Sequence, residues 1–241
     1  MSSPPLFELA GIGKRFGHHW ILQDISFSID SGDFLLLLGN NGAGKSTLMK
    51  VLSSLMRPSA GELSFRGIPF RKSTADLRAS TGIISHQSQF YGDLTAPENL
   101  RVFGTLYSVD NLKERIPDAL RELRLDSFPN VPVRAFSSGM LKRLAFARIA
   151  LFNPQVLLLD EPHAGLDQES VRLLDDFLHR FKAGGGTTLM ITHQFTGAVE
   201  ACNRILILNN GGLVYNEDVK GVSAERCAAL LKKTTAPRKS A

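Results

Sequence analysis

The sequence predicts an α/β fold, a βαβ core on a parallel sheet that carries a helical insertion. Three observations carry this reading. Phe34–Leu38 and Val156–Leu159 are continuous apolar runs of strand length, the pattern of strands covered on both faces. A glycine-rich stretch, Gly39 to Thr47, joins the first run to a helical pattern. Roughly from Ser88 to Ala150 the strand pattern disappears, and it returns afterwards.

Taken in order, Leu6–Leu9 reads as a short strand. Ile21–Ile29 alternates, with Ile25, Phe27 and Ile29 on one side and Ser26 and Ser28 on the other. Ser31-Gly32-Asp33 turns the chain into Phe34–Leu38. A helix is expected from about Lys45 to Met56, stopped by Pro58-Ser59-Ala60-Gly61. Glu62–Phe65 and Ile83-Ile84 read as further strands. The insertion reads as helices over Ala96–Tyr107, Leu112–Leu125 and Ser138–Phe152; in the last, Leu141, Leu144, Ala145 and Ile149 recur at helical spacing. Val156–Leu159 is a buried strand. Gln168–Phe181 is a helix with Val171, Leu174, Phe177 and Phe181 on one face, broken by Gly184-Gly185-Gly186. Thr187–Thr192 and Arg204–Leu208 are strands, and Asn209-Asn210-Gly211-Gly212 is a hairpin turn into Leu213–Tyr215. No internal repeat is visible.

Composition excludes several classes. Apolar residues make up 43% and charged residues 21% of the 241, which argues against disorder. No stretch approaches the roughly 20 apolar residues of a membrane-spanning helix. MSSPPLFELAG lacks the charge-then-apolar pattern of a secretion signal. Service to a membrane is therefore expected to run through a partner. Cys202 and Cys227 lack metal-ligand spacing and are expected to be reduced and structural. The net charge is +5, but Lys and Arg are scattered rather than striped, so no nucleic acid is expected. The one basic cluster is Lys232, Lys233, Arg238 and Lys239, in a tail (232–241) expected to be disordered.

Gly39-Asn40-Asn41-Gly42-Ala43-Gly44-Lys45-Ser46-Thr47 matches G-x-x-x-x-G-K-[ST] between a buried strand and a helix. Glycines let the backbone curl so that successive N–H groups face phosphate oxygens, and the helix start adds partial positive charge. Lys45 is placed to neutralise the β- and γ-phosphates, and the Ser46 hydroxyl to ligate Mg2+. The acidic partner is Val156-Leu157-Leu158-Leu159-Asp160-Glu161. There Asp160 suits the Mg2+ shell and Glu161 suits the polarising of an attacking water. These two motifs alone fit kinases, GTPases, motors and transporters. The Asn/Thr-Lys-x-Asp stretch that reads guanine is absent.

Other residues resemble the ATP-binding subunits of ABC transporters. Phe136-Ser137-Ser138-Gly139-Met140 resembles the family signature Leu-Ser-Gly-Gly-Gln; Gln87 resembles the Q-loop glutamine; Ala164-Gly165-Leu166-Asp167 resembles the D-loop. His193 resembles the switch histidine, and Phe16 the aromatic that stacks on adenine. The elements stand in the family's order and cover about residues 6 to 215. The resemblance implies a P-loop NTPase (RecA-like) core, residues 1–87 and 151–220, with an antiparallel β subdomain and an inserted helical subdomain, 88–150. It implies ATP and Mg2+ as cofactors and a second ATPase subunit as partner, a homodimer when ATP is bound. Ser137 and Gly139 would face the γ-phosphate held by the partner's phosphate loop. Gln87 would link the metal site, alongside Ser46 and Asp160, to the helical lobe, and His193 would contact the γ-phosphate opposite Glu161. Integral membrane transporter subunits and a location on the inner face of the cell membrane are also implied.

Ser138 and Met140 depart from the signature, while the contacting pair Ser137 and Gly139 is intact. His163 is unusual for the family and has no implied role. Finer similarity lies in His86-Gln87, Gly92–Leu100, Val131-Pro132-Val133-Arg134 and Ile191-Thr192-His193-Gln194. It resembles the ATPase of the haem exporter of cytochrome c maturation, and drug or polysaccharide exporters share pieces of it. A non-transport ABC ATPase and a nucleotide-binding module that does not hydrolyse remain as alternatives; intact Glu161 and His193 argue against the second.

Overall fold

A computed structural model describes residues 4–85, 90–194, 197–219 and 223–235. Gln87, with His86, lies outside the described residues, as do Arg238 and Lys239.

The chain opens with β1 (Phe7–Phe16) and β2 (His19–Ile29), an antiparallel pair joined at Gly17-His18. β3 (Phe34–Gly39) leads to α1 (Lys45–Leu52). β4 (Ala60–Phe65), the two-residue β5 (Ile68–Pro69), α2 (Phe70–Ser80) and β6 (Thr81–Ile84) follow. The helical stretch holds α3 (Ala96–Leu106), α4 (Leu112–Glu122) and α5 (Ser138–Phe152). Then come β7 (Val156–Asp160), α6 (Gln168–Ala183), β8 (Thr187–Ile191), β9 (Arg204–Asn209), β10 (Gly212–Asp218) and α7 (Ala224–Thr235).

Two sheets result. One is antiparallel, in the order β2-β1-β4-β5; the other has the order β10-β9-β3-β8-β7-β6, all parallel except for the edge strand β10. The parallel sheet is covered on both faces, which is why its strands are apolar without alternation. β3 shows this residue by residue. Phe34, Leu36 and Leu38 pack with Leu144, Phe146, Leu174 and Phe177 on the helical side. Leu35 and Leu37 pack with Leu22, Ile25, Leu48 and Val51 on the side of the antiparallel sheet. The antiparallel sheet and the helical insertion thus sit on opposite faces of the central sheet.

Local chemistry sets the helix starts. Thr95 and Glu98 make a reciprocal capping box at α3: Thr95 N–H donates to Glu98 Oε2 at 2.8 Å, and Glu98 N–H to Thr95 Oγ1 at 3.4 Å. Asp167 caps α6 by accepting from Ser170 N–H at 2.7 Å. Asn210 and Gly211 both have positive φ (48° and 79°) and form the expected hairpin turn between β9 and β10.

The structure corrects several expectations. α1 ends at Leu52 rather than Met56, because Ser54 enters the left-handed region (φ 61°), where Arg78 Nε donates to its hydroxyl at 2.8 Å. α2 has no counterpart in the sequence reading, because only Phe70, Ser73 and Leu77 of its eleven residues are buried. The disorder expected from Lys232 onward does not hold for residues 232–235. α7 includes Lys232 and Lys233 and is anchored by Cys227, which is buried against the helical-side core. Cys202 and Cys227 are both free thiols, and burial pushes each up to about 11, as inert structural cysteines require.

Candidate active site

The phosphate loop is the link from β3 to α1, and two of its glycines could be nothing else. Gly39 has φ 149°, and a Cβ there would lie 2.4 Å from the Leu208 carbonyl. Gly44 has φ 103°, and its Cβ would meet Leu22 Cδ2 at 2.7 Å and the Ile21 carbonyl at 2.9 Å. At these two positions the loop passes so close to β9 and β2 that there is no room for a side chain. Gly44 starts α1 without a side-chain cap, so the first N–H groups of the helix have no side-chain acceptor. Asn40, Asn41, Gly42 and Ser46 are exposed; Ala43, Gly44 and Lys45 are buried, and Thr47 is intermediate.

The Lys45 ammonium donates to the carbonyls of Gly39 (2.6 Å) and Asn40 (3.1 Å), which folds it over the loop. Burial pulls it below the ordinary lysine range; the Glu161 and Asp160 carboxylates act in the opposite direction. Lys45, Asp160 and Glu161 are thus brought together from two strand ends that neighbour β8 on either side.

Asp160 is the buried last residue of β7. Glu161 follows with φ 52°, a left-handed backbone that costs a non-glycine residue about 1–2 kcal/mol. Its N–H donates to the Ile191 carbonyl at 2.9 Å, so the end of β8 holds the turn. His193 comes from the same strand end. Its backbone N–H donates to Glu161 Oε2 at 3.3 Å, and its Nε2 lies 3.5 Å from Oε1, with the side chain 48% exposed.

Phe16 ends β1, 50% exposed as a residue, with the Lys14 ammonium 5.3 Å from its ring centroid. That leaves a flat apolar face for a base. Ser137 and Gly139 lie apart from the cradle. Ser137 caps α5, accepting from Met140 N–H at 3.2 Å, and is exposed. The nearest neighbours of Gly139 beyond its own turn are Leu166 and Ser170.

Sequence reasoning missed Lys142. It lies three residues beyond Gly139, and its ammonium donates to the Glu161 carbonyl at 3.0 Å and to that of Ala164. A lysine between Leu141 and Leu144 was the available signal. His163 is fully buried. Its Nε2 is 2.9 Å from Asp175 Oδ1, yet without the alignment of a hydrogen bond, so this is a contact at ion-pair distance only.

The donors fit a hard divalent cation. Ser46 and Asp160 offer oxygen only, and no cluster of three or more His, Cys, Asp or Glu suited to a metal occurs among the described residues. Few protein oxygens beside a phosphate site is the pattern of Mg2+ rather than of a softer metal.

Comparison with known proteins gives the family. Residues 22–164 match the family described as ABC transporter. The Nod factor export ATP-binding protein I of Ralstonia nicotianae is 33% identical over 213 residues, 88% of this chain and 66% of that protein. The chain therefore spans just under two thirds of that relative. The ABC transporter ATP-binding protein NatA of Bacillus subtilis is 31% identical over 197 residues, 80% of each. A solved ATP-binding subunit of an ABC transporter superposes with a TM-score of 0.84 at 28% identity, covering 94% of this chain and 99% of that one. By its cradle, its fold and these relatives, the chain belongs to the ABC transporter family, as an ATP-binding and ATP-hydrolysing cassette.

Proposed function

We propose that the chain binds ATP with Mg2+ in the cradle, pairs head to tail with a second cassette, and drives export through partner membrane subunits. The observation that carries this is the convergence of buried Lys45 and Asp160 with half-buried Glu161 at a glycine-rich loop whose Asn40, Asn41, Gly42 and Ser46 are exposed.

In this reading Phe16 stacks on the adenine. The N–H groups of Gly42 to Thr47 and the Lys45 ammonium take the β- and γ-phosphates. Ser46 and Asp160 hold Mg2+, with Gln87 added on the family pattern. The ion supplies charge neutralisation to the phosphates. Glu161 accepts a proton from the attacking water, and His193 contacts the γ-phosphate while its backbone N–H steadies the Glu161 carboxylate. Exposed Ser137 and the half-buried Gly139, whose amide lies in the first turn of α5, are offered to a second chain's γ-phosphate. ATP then favours the paired state through contacts present only there.

No helix among the described residues is long and apolar enough to cross a membrane. One surface feature supports a membrane partner. A groove of about 900 Å³ beside α5 is lined by Leu55, Phe90, Phe103, Leu106, Tyr107 and Phe152, with Leu106 70% exposed, and by the cations Arg78, Lys142 and Arg148. Such a surface suits a protein segment that brings apolar anchors together with polar or acidic groups, and its use would place the chain at the inner face of the membrane. Export is supported by the name of the Nod factor relative. Haem export, the finer expectation from sequence, draws no support from that relative or from NatA, so the cargo is left to the partner.

The test is affinity capture of tagged Glu161→Gln held in ATP, from gently solubilised native membranes. Multi-spanning exporter subunits are expected, and their identity would name the cargo class. Recovery of soluble partners alone would overturn the transporter reading.

A further inference from the structure

Lys142 belongs neither to the phosphate cradle nor to the exposed α5 tip, yet it joins the two. It projects from the first turns of α5 into the turn after β7. There its ammonium takes the carbonyls of Glu161 (3.0 Å) and Ala164. These carbonyls bracket a turn whose own internal bond is long, Ala164 N–H to Glu161 O at 3.3 Å. Glu161 sits there in the left-handed region, so the conformation has to be held from outside. Burial pulls the ammonium below the ordinary lysine range, with the Glu161 carboxylate opposing. A half-buried ammonium is costly unless it is hydrogen-bonded, and both carbonyls answer it. The same helix begins at Ser137 and Gly139. One rigid element therefore carries the exposed anion site at its tip and, about one turn in, a clamp on the turn that presents Glu161.

We propose that Lys142 is a positioning residue for hydrolysis: it holds the Glu161 turn in register with α5, so that Glu161 is aimed when the helix is seated. This rests on the reading of Glu161 as the base. It differs from a packing role because the aliphatic stem alone would not suffice.

Lys142→Met keeps the stem and removes the donors. We expect kcat to fall at least about tenfold, as misplaced reacting groups do. ATP binding by the isolated chain and the melting temperature should stay at wild-type values. Amide exchange across 161–166 should accelerate. Lys142→Gln, with one amide donor for one carbonyl, should recover part of the kcat, and it serves in place of the Met variant should that chain fail to fold. A kcat of Lys142→Met within about twofold of wild type would sink the proposal. So would parallel losses of kcat, ATP binding and melting temperature, or a Gln variant no better than Met. Glu161→Gln is measured alongside. If it is inactive while Lys142→Met is normal, only the Lys142 proposal falls. If it turns over normally, the reading of Glu161 falls and takes this proposal with it.

Discussion

Helices α1 and α5 begin in opposite ways. α1 starts at Gly44 in the left-handed region, with no side chain answering its first N–H groups and with Lys45 folded back over the loop. α5 starts at Ser137 in an extended conformation, and the Ser137 hydroxyl answers the Met140 N–H. The first start leaves its donors to a ligand, and a lysine and two carboxylates gather around it. The second is capped by its own side chain, and Ser137 is exposed. The difference teaches what each can do. In the proposed reading, the start with uncapped donors and a buried ammonium binds polyphosphate within one chain, and the self-capped, exposed start supplements the site of a second chain.

The strongest way to break this comparison is Glu161→Gln. Turnover should fall about 100-fold or more, the scale of a lost general base, while ATP stays bound to the isolated chain. Steady-state ATPase and nucleotide-retention assays check both, and turnover within about tenfold of wild type would remove Glu161 from its role. Next comes Ser137→Ala. Turnover should drop about tenfold or more, as when one oxyanion donor is lost, with ATP binding by the isolated chain unchanged. An equal loss of that binding would show that α5 serves the cradle of its own chain.

A smaller effect sharpens the same contrast through one substitution at two places. Gly44→Ala should destabilise the fold by about 1–3 kcal/mol and weaken ATP binding, because its Cβ would sit 2.7 Å from Leu22 Cδ2 at φ 103°. Gly139→Ala meets nothing nearer than 3.7 Å and should leave the melting temperature near wild type. Denaturation curves with and without nucleotide separate the two, and equal destabilisation would contradict the described geometry. The smallest effect concerns Asp167, which caps α6. The Ser170 backbone N–H holds its carboxyl below the ordinary range. Its contribution is therefore present above the unfolded carboxylate value, near pH 4, and is lost as the pH falls through the lower folded value. Asp167→Asn keeps a capping oxygen and cannot titrate. Its melting temperature should fall less steeply with acid than that of the wild type.

The cradle was legible because its chemistry is local. A glycine pattern between a buried strand and a helix, followed by an acidic strand end, survives reading as a string. Helix α2 was not legible, since only Phe70, Ser73 and Leu77 face the core and no apolar period emerges. Helix α7 was hidden by its basic end, although Cys227 is buried and fixes it. The haem reading rested on short similarities scattered over loops, and cargo is read by partner surfaces rather than by these residues.

By itself the sequence determined the phosphate-binding motif, the acidic strand end, the signature stretch and the alternation of strands with helices, because each depends on neighbours within a few residues. Only the tertiary structure decided that Lys45 lies near Asp160 and Glu161, that Glu161 has a left-handed backbone held by Ile191, and that Lys142 of α5 reaches two carbonyls of the turn after β7. Those relations join residues 19 to 116 positions apart. They exist because a parallel sheet brings distant strand ends to one edge, where packing rather than sequence order sets which groups meet.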